Sequence, residues 1–242
     1  MVFSLKRLLS IILFILSIIA AVILTIGIFI LIVKIQNKLF VPEDYLMWTF
    51  NYPNSSFIFI YELYLFFGLF YIFHKGFREG IRNKLSSSEE GFFKRNKKLI
   101  YTLFIASNIV LFYTIVSAVT VVTNNKIIDY SYLNPLGHEY EFKDIAQISS
   151  GVHGKKSYIP STYSKGDFFY NIKLESGKEV DLTEVGEVNN GEHEIFIIEE
   201  LDRKLVDMGI PKVSSTKNFG YTTESLDEIY TDKIRDILEN TD

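Results

Sequence analysis

Apolar positions fall into three long runs in the first half of the chain and into short, patterned groups in the second. Leu8–Val33 is 26 residues without Asp, Glu, Lys or Arg. At ~1.5 Å per residue it reaches roughly 39 Å, enough to cross a ~30 Å hydrocarbon layer with tilt. Phe57–Phe73 is 17 residues with one acid, Glu62, and Leu99–Val122 is 24 uncharged residues. Tyr52, Pro53 and His74 flank the shorter run and suit the interfaces. In hydrocarbon the backbone must satisfy its own hydrogen bonds, so each run predicts a helix. Lys6 and Arg7 before the first run also suit a signal peptide, whose apolar stretch is only ~7–15 residues and ends at a small-residue cleavage site. This run passes through Ala20-Ala21 without a break, so an uncleaved helix is expected.

The second half is patterned differently. Asn124-Asn125 breaks the third helix. Strand-like pieces follow at Lys126–Tyr132, Glu139–Phe142, Ile145–Ser149, Phe168–Leu174 and Val180–Leu182. Turn signals join them, at Asn134-Pro135-Leu136-Gly137 and Glu175-Ser176-Gly177-Lys178. Phe168, Tyr170, Ile172 and Leu174 alternate with Phe169, Asn171 and Lys173, as in a half-buried antiparallel strand. A helix is expected over about Gly191–Met208, with Ile198, Leu201, Leu205 and Met208 on one stripe; Gly209 and Pro211 suit its end. Lys212–Tyr221 reads as a linker. A last amphipathic helix, about Thr223–Glu239, has Thr223 as its cap and Leu226, Tyr230, Ile234 and Ile237 as its stripe, docked or detached.

The fold class is therefore a three-helix transmembrane region, residues 1–123 (helices about 8–33, 57–73 and 99–122), plus a small α+β domain, 124–211: an antiparallel sheet packed by a C-terminal helix. Residues 212–242 are a linker and appended helix.

Charge follows this division. Residues 1–122 carry 12 Lys/Arg and 6 Asp/Glu, a net of +6, whereas 123–242 carry 13 and 23, a net of −10. The loop His74–Lys98 holds Lys75, Arg78, Arg82, Lys84, Lys94, Arg95, Lys97 and Lys98, while Lys34–Ser56 holds only Lys34 and Lys38. Basic short loops stay cytoplasmic, so the N-terminus and loop 74–98 are expected inside the cell membrane and the C-terminal domain outside. Tyr45, Trp48 and Tyr52 then suit the outer interface. Ser88, before Glu89 and Glu90, suits a helix N-cap. The absence of cysteine excludes disulfides, thiolate catalysis and Cys-based zinc sites. Lys outnumbers Arg 19 to 6 and Ile is abundant, a bias associated with AT-rich bacterial genomes.

Three features, Tyr140-Glu141-Phe142-Lys143-Asp144-Ile145, Tyr170-Asn171-Ile172 with Ser176-Gly177-Lys178, and the helix Glu192–Met208, give the second half its character. Together they resemble the pleckstrin-homology-like (PH-like) domains that follow transmembrane helices in many bacterial membrane proteins. The resemblance covers about a third of the chain. It implies a binding or scaffolding role with no catalytic residues.

Several residues invite a functional reading beside a plainer one. Glu62 lies within the second apolar run, where an ionisable group is costly and a functional candidate; it also suits outward snorkelling or protonation against a neighbour. Asn108, near the middle of the third run, suits a hydrogen bond between helices, and Thr114 lies about eight residues from that run's outer end, somewhat deeper than Glu62; with Glu62 they are the polar residues a path would use. In the loop Gly151–Gly166, Lys155, Lys156 and Lys165 with the amides beside Gly154 suit an anion, and Tyr158 and Tyr163 suit a headgroup layer; an exposed solubilising hairpin is the alternative. His138, His153 and His193 lack HExxH spacing, and neither a Walker pattern nor a Gly-x-Ser-x-Gly elbow occurs. No metal, cofactor or nucleic acid is expected.

The sequence thus points to a non-enzymatic, membrane-anchored binding or scaffold protein. Its expected partners are the bilayer and another membrane or envelope protein, with a homo-oligomer left open. The alternative is a subunit of a transport system or membrane enzyme using Glu62, which would need further helices from an oligomer or another subunit.

Overall fold

The computed structural model describes residues 2–86, 95–157 and 163–241. Tyr158 and the cap expected at Ser88 lie outside these. The chain forms two compact units, Met1–Ile35 with Asn54–Val116, and Gln36–Pro53 with Ser117–Asp242.

The first unit is helical. Helix α1 spans Val2–Phe40, α2 Ile58–Phe73, α3 Lys75–Ser86 and α4 Lys97–Val116. Three segments, Leu8–Phe40, Asn54–Phe73 and Lys97–Val116, are long and apolar enough to cross a membrane. Protein buries little of them: Ile23, Phe59, Ile72, Ile109 and Val110 are each 60% or more exposed. Phe14 of α1 meets Phe70 of α2 edge-on at 5.6 Å, and the Tyr61 hydroxyl of α2 donates to the Asn108 carbonyl of α4 at 3.2 Å. The first helix outruns its expected end at Val33, because Lys34–Phe40 contains no Gly or Pro to stop it.

The second unit is a mixed, mainly antiparallel β structure with helices. Its strands are β1 Tyr45–Phe50, β2 Val119–Thr123, β3 Lys126–Asp129, β4 His138–Glu141, β5 Ile145–Val152, β6 Phe168–Leu174, β7 Glu179–Asp181, β8 Val185–Val188 and β9 Lys212–Ser214. They form two sheets, ordered β4-β3-β2-β1-β8 and β7-β6-β5-β9. Every pairing is antiparallel except β5 with β9. Helix α5, Glu194–Asp207, follows β8; a single turn, α6, spans Phe219–Thr222, and α7 spans Glu228–Glu239.

Several expectations are corrected. The third apolar helix stops at Val116 rather than Val122, and Val119–Thr123 is a strand. Val-Thr-Val-Val-Thr is β-branched throughout, which favours a pleated surface, and β1 and β3 hydrogen-bond its two edges. The first loop is not merely a connection: it supplies β1, an interior strand between β2 and β8. Trp48 is consequently fully buried in the sheet and is not an interface residue. The domain therefore does not begin at residue 124 or end at 211. Lys212–Tyr221, read as a linker, contains β9 and α6.

The last helix docks. Ile234, Ile237 and Leu238 are at most 2% exposed. It begins at Glu228 with Asp227 at the N-cap, so Thr223 does not cap it, and Leu226 lies ahead of it, exposed. On α5, Ile197, Ile198, Leu201 and Leu205 join Met47, Val122, Ile148, Ile172 and Leu182 in one core. Met208, placed on that stripe by spacing, is 49% exposed, because α5 ends one residue earlier. Gly209 takes φ +77° there and its N–H donates to Val206, a left-handed helix stop that favours glycine.

Candidate functional site

The second unit contains a half-open groove of about 440 Å³. It is built at one end of the β5–β6 hairpin. His153 follows β5, Asp167 precedes β6 and Phe169 lies in it, Asp181 and Glu184 flank the turn after β7, and His193 caps α5, which Glu194 begins. An aromatic wall and a carboxylate rim result. The His153 imidazole stacks on Tyr163 at 3.6 Å between centroids and tilts against Phe169 at 4.8 Å. His193 packs on Tyr230 at 4.3 Å, and its Nδ1 accepts the Ile195 N–H as the N-cap of α5.

Burial sets the protonation of the groove. It pushes the Asp181 carboxyl above its ordinary value, although Asp181 accepts from the Thr183 N–H at 2.9 Å and hydroxyl at 2.6 Å. Glu184 is raised by burial and then by the charge of Asp181. His153 is held below the usual imidazole range by burial, against the opposing pull of Asp167 and Asp181. The groove is thus a place where negative charge is crowded and partly desolvated, and a positive group brought there relieves the crowding.

The sequence-predicted residues are distributed as follows. Lys155 and Lys156 are exposed after β5. The Lys165 ammonium lies over the Tyr221 ring, 3.3 Å from its centroid. A Cβ at Gly154 would meet the Asn218 amide at 2.8 Å, so a side chain, rather than an open anion cradle, faces that glycine. His153 and His193 both reach the groove, whereas His138 lies on β4 against Tyr140. Among the described residues no three His, Asp or Glu side chains come together as a metal-ligand set. In the helical unit, Glu62 is exposed on α2. The Asn108 amide donates to Phe104 and the Thr114 hydroxyl to Val110, each four residues back in its own helix. The bond between helices that was expected of the Asn108 side chain is instead made by Tyr61 to the Asn108 backbone.

Sequence reasoning missed Asp181, Glu184 and Phe169. His153 and His193 were weighed in the sequence with His138, but nothing local marked the turn after β7 as their neighbour. Comparisons of the chain with protein-family models, with curated proteins and with solved structures give no match.

Proposed function

We propose that the chain is a three-span membrane protein holding a PH-like binding domain at the outer membrane face, and that the groove receives a basic segment of a membrane or envelope protein partner. The observation that carries the reading is β1. This strand lies between the first two apolar helices in sequence, yet it pairs with β2 and β8 of the C-terminal domain. The first loop and the domain must therefore share one side of any membrane the helices cross. An even number of crossings between them, by Asn54–Phe73 and Lys97–Val116, meets that requirement. The charge-rich loop 74–98 then takes the cytoplasmic side. The exposed apolar helix surfaces need a solvent of their own kind, and lipid supplies it.

The PH-like assignment draws support from strand order. Strands β1 to β4 form a meander, β5 to β7 form a second, β8 returns to β1, and α5 packs into the core. Strands β1 and β2, which precede residue 124, complete the first of these meanders. The departure is an excursion of two apolar helices between the first two strands, with β9 and α7 added at the end.

The groove's rim selects for positive charge, and its aromatic wall offers ring faces to an ammonium or guanidinium. The test is binding of a lysine- and arginine-rich peptide to the full chain in nanodiscs. Glu184→Gln with Glu194→Gln is expected to weaken binding about tenfold, or ~1.4 kcal/mol, relative to wild type. Glu175→Gln with Glu179→Gln, an equal charge change on the β6–β7 hairpin, is expected to change it little. Because Asp181 and Glu184 titrate above the ordinary carboxylate range, the affinity falls as pH is lowered through those raised values. Equal loss from both pairs would mean diffuse attraction to an acidic surface and would remove the groove from the account.

A further inference from the structure

The β3–β4 hairpin carries an apolar tip that the binding groove does not use. Between Asp129 and Glu139 the chain reads Tyr-Ser-Tyr-Leu-Asn-Pro-Leu-Gly-His, with no Asp, Glu, Lys or Arg. Tyr132 is 48% exposed, Leu133 73% and Leu136 95%. The tip is held in shape: the Asn134 N–H donates to the Ser131 carbonyl at 3.0 Å, and the Gly137 N–H to the Asn134 carbonyl at 3.1 Å. Gly137 takes φ +83°, and a Cβ there would strike Tyr130 and Ile128 within 2.8 Å. A fixed loop therefore presents two leucines outward.

Its position within the domain identifies what covers it. The chain passes between the two units at Ile35–Gln36, Pro53–Asn54 and Val116–Ser117. Tyr130, at the base of the tip, contacts residues close to the second and third passages and one residue, Phe40, about a helical turn past the first. Its ring packs on Phe40 at 4.9 Å, its carbonyl accepts from the Asn51 side chain at 3.0 Å, and its N–H donates to the Val119 carbonyl at 2.8 Å. The apolar tip thus occupies the end of the sheet from which the chain runs into the apolar helices. The opposite end carries the polar β2–β3 turn, Asn124-Asn125, roughly 15–20 Å away at ~3.3 Å per strand residue.

We propose that the Tyr130–Gly137 loop seats Leu133 and Leu136 in the outer headgroup–acyl boundary of the bilayer, a further attachment of the domain beside its covalent connections. This rests on the reading that the apolar helices span the membrane. An uncharged loop with leucines at its crest and tyrosines at its base matches that boundary, where aromatic rings sit at headgroup level.

The chain contains no cysteine, so a single introduced thiol takes a label uniquely. The full chain bearing Leu136→Cys, Asn124→Cys or Ile109→Cys is labelled with a fluorophore and reconstituted in phosphatidylcholine–phosphatidylglycerol vesicles. Both leaflets contain lipid with a nitroxide high on the acyl chain. Leu136 and Ile109 are exposed, so the labels report without disturbing a core. The Leu136→Cys and Ile109→Cys labels are expected to lose most of their emission and the Asn124→Cys label little. Quenching at position 109 without quenching at 136 overturns this proposal and leaves the spanning reading intact. Quenching at neither overturns both. A label at position 136 shielded from lipid nitroxide and from aqueous iodide alike means that protein covers the tip, which also overturns the proposal.

Discussion

A fragment of residues 117–242, which holds all of the chain after the last apolar helix, is expected not to fold. It lacks β1, and with it Met47 and Trp48, both fully buried. Truncating a buried methionine to alanine costs about 2–5 kcal/mol and a tryptophan about 3–5 kcal/mol. Together these approach the whole stability of an ordinary domain, about 5–15 kcal/mol. Loss of β1 also strips one edge each of β2 and β8 of their partners and removes the Asn51 side chain from Asp129, which it bonds at 2.8 Å. Restoring the strand in cis should restore folding. The Asn51 N–H donates to the Ala118 carbonyl at 3.0 Å, so residues 36–52 need only a short turn to join Ser117. The joined fragment should show one cooperative thermal transition and dispersed amide resonances, where 117–242 alone shows neither. Gly186→Val in the full chain probes the same contact, because a Cβ there would lie 2.1 Å from the Trp48 ring. Cooperative unfolding of 117–242 by itself would mean that β1 is dispensable.

Lys212→Met is expected to be the most damaging single charge removal in the domain. Its side chain and that of Asp202 are each 1% exposed, and the ammonium lies 2.6 Å from the carboxylate. Asp202 also accepts from the Tyr170 hydroxyl and the Asn240 amide, each at 2.8 Å, while Lys212 donates to the carbonyls of Ile237 and Asn240 at the end of α7. Strand β9, α5, β6 and the last helix thus meet at one buried charge pair. Burial lowers the Lys212 ammonium from its ordinary value even against the pull of Asp202. Removing the lysine leaves a buried carboxylate without its counter-charge, at about 3–5 kcal/mol. The melting temperature should fall on the order of 10 °C, and α7 should become open to proteolysis. Lys212→Met with Asp202→Leu should regain much of the loss, because no uncompensated charge remains. Lys217→Met, on the exposed surface, should change little. An unaltered melting point for Lys212→Met would mean that the pair does not hold α7.

Much of this was legible in the sequence, and the gaps have physical causes. The apolar helices were visible because their length exceeds what a protein core requires. The end of the third was not, since Val119–Thr123 continues the apolar run and only pairing with β1 and β3 turns it into a strand. Tyr45–Phe50 carries no clean alternation; as an interior strand it is apolar on both faces, and its aromatic residues imitate an interface belt. Lys212 sits in a polar stretch whose burial arises from elements far apart in sequence. Of the groove, His153 and His193 drew notice, but Asp181 and Glu184 reach it only through the β6–β7 hairpin. The lysines of the 151–166 loop suggested an anion, whereas the groove that His153 lines is rimmed by Asp167, Asp181, Glu184 and Glu194, which favour a cation.

In the proposed arrangement Tyr45–Phe50 and the C-terminal strands lie on one side of the bilayer that the apolar helices cross. Single cysteines at Glu43, Lys217 and Arg82, each exposed, place the three regions directly when intact cells are treated with a membrane-impermeant maleimide. Glu43→Cys and Lys217→Cys should be modified from outside, and Arg82→Cys only after the membrane is permeabilised. Modification of positions 43 and 217 from opposite sides, or of all three from outside, would contradict it.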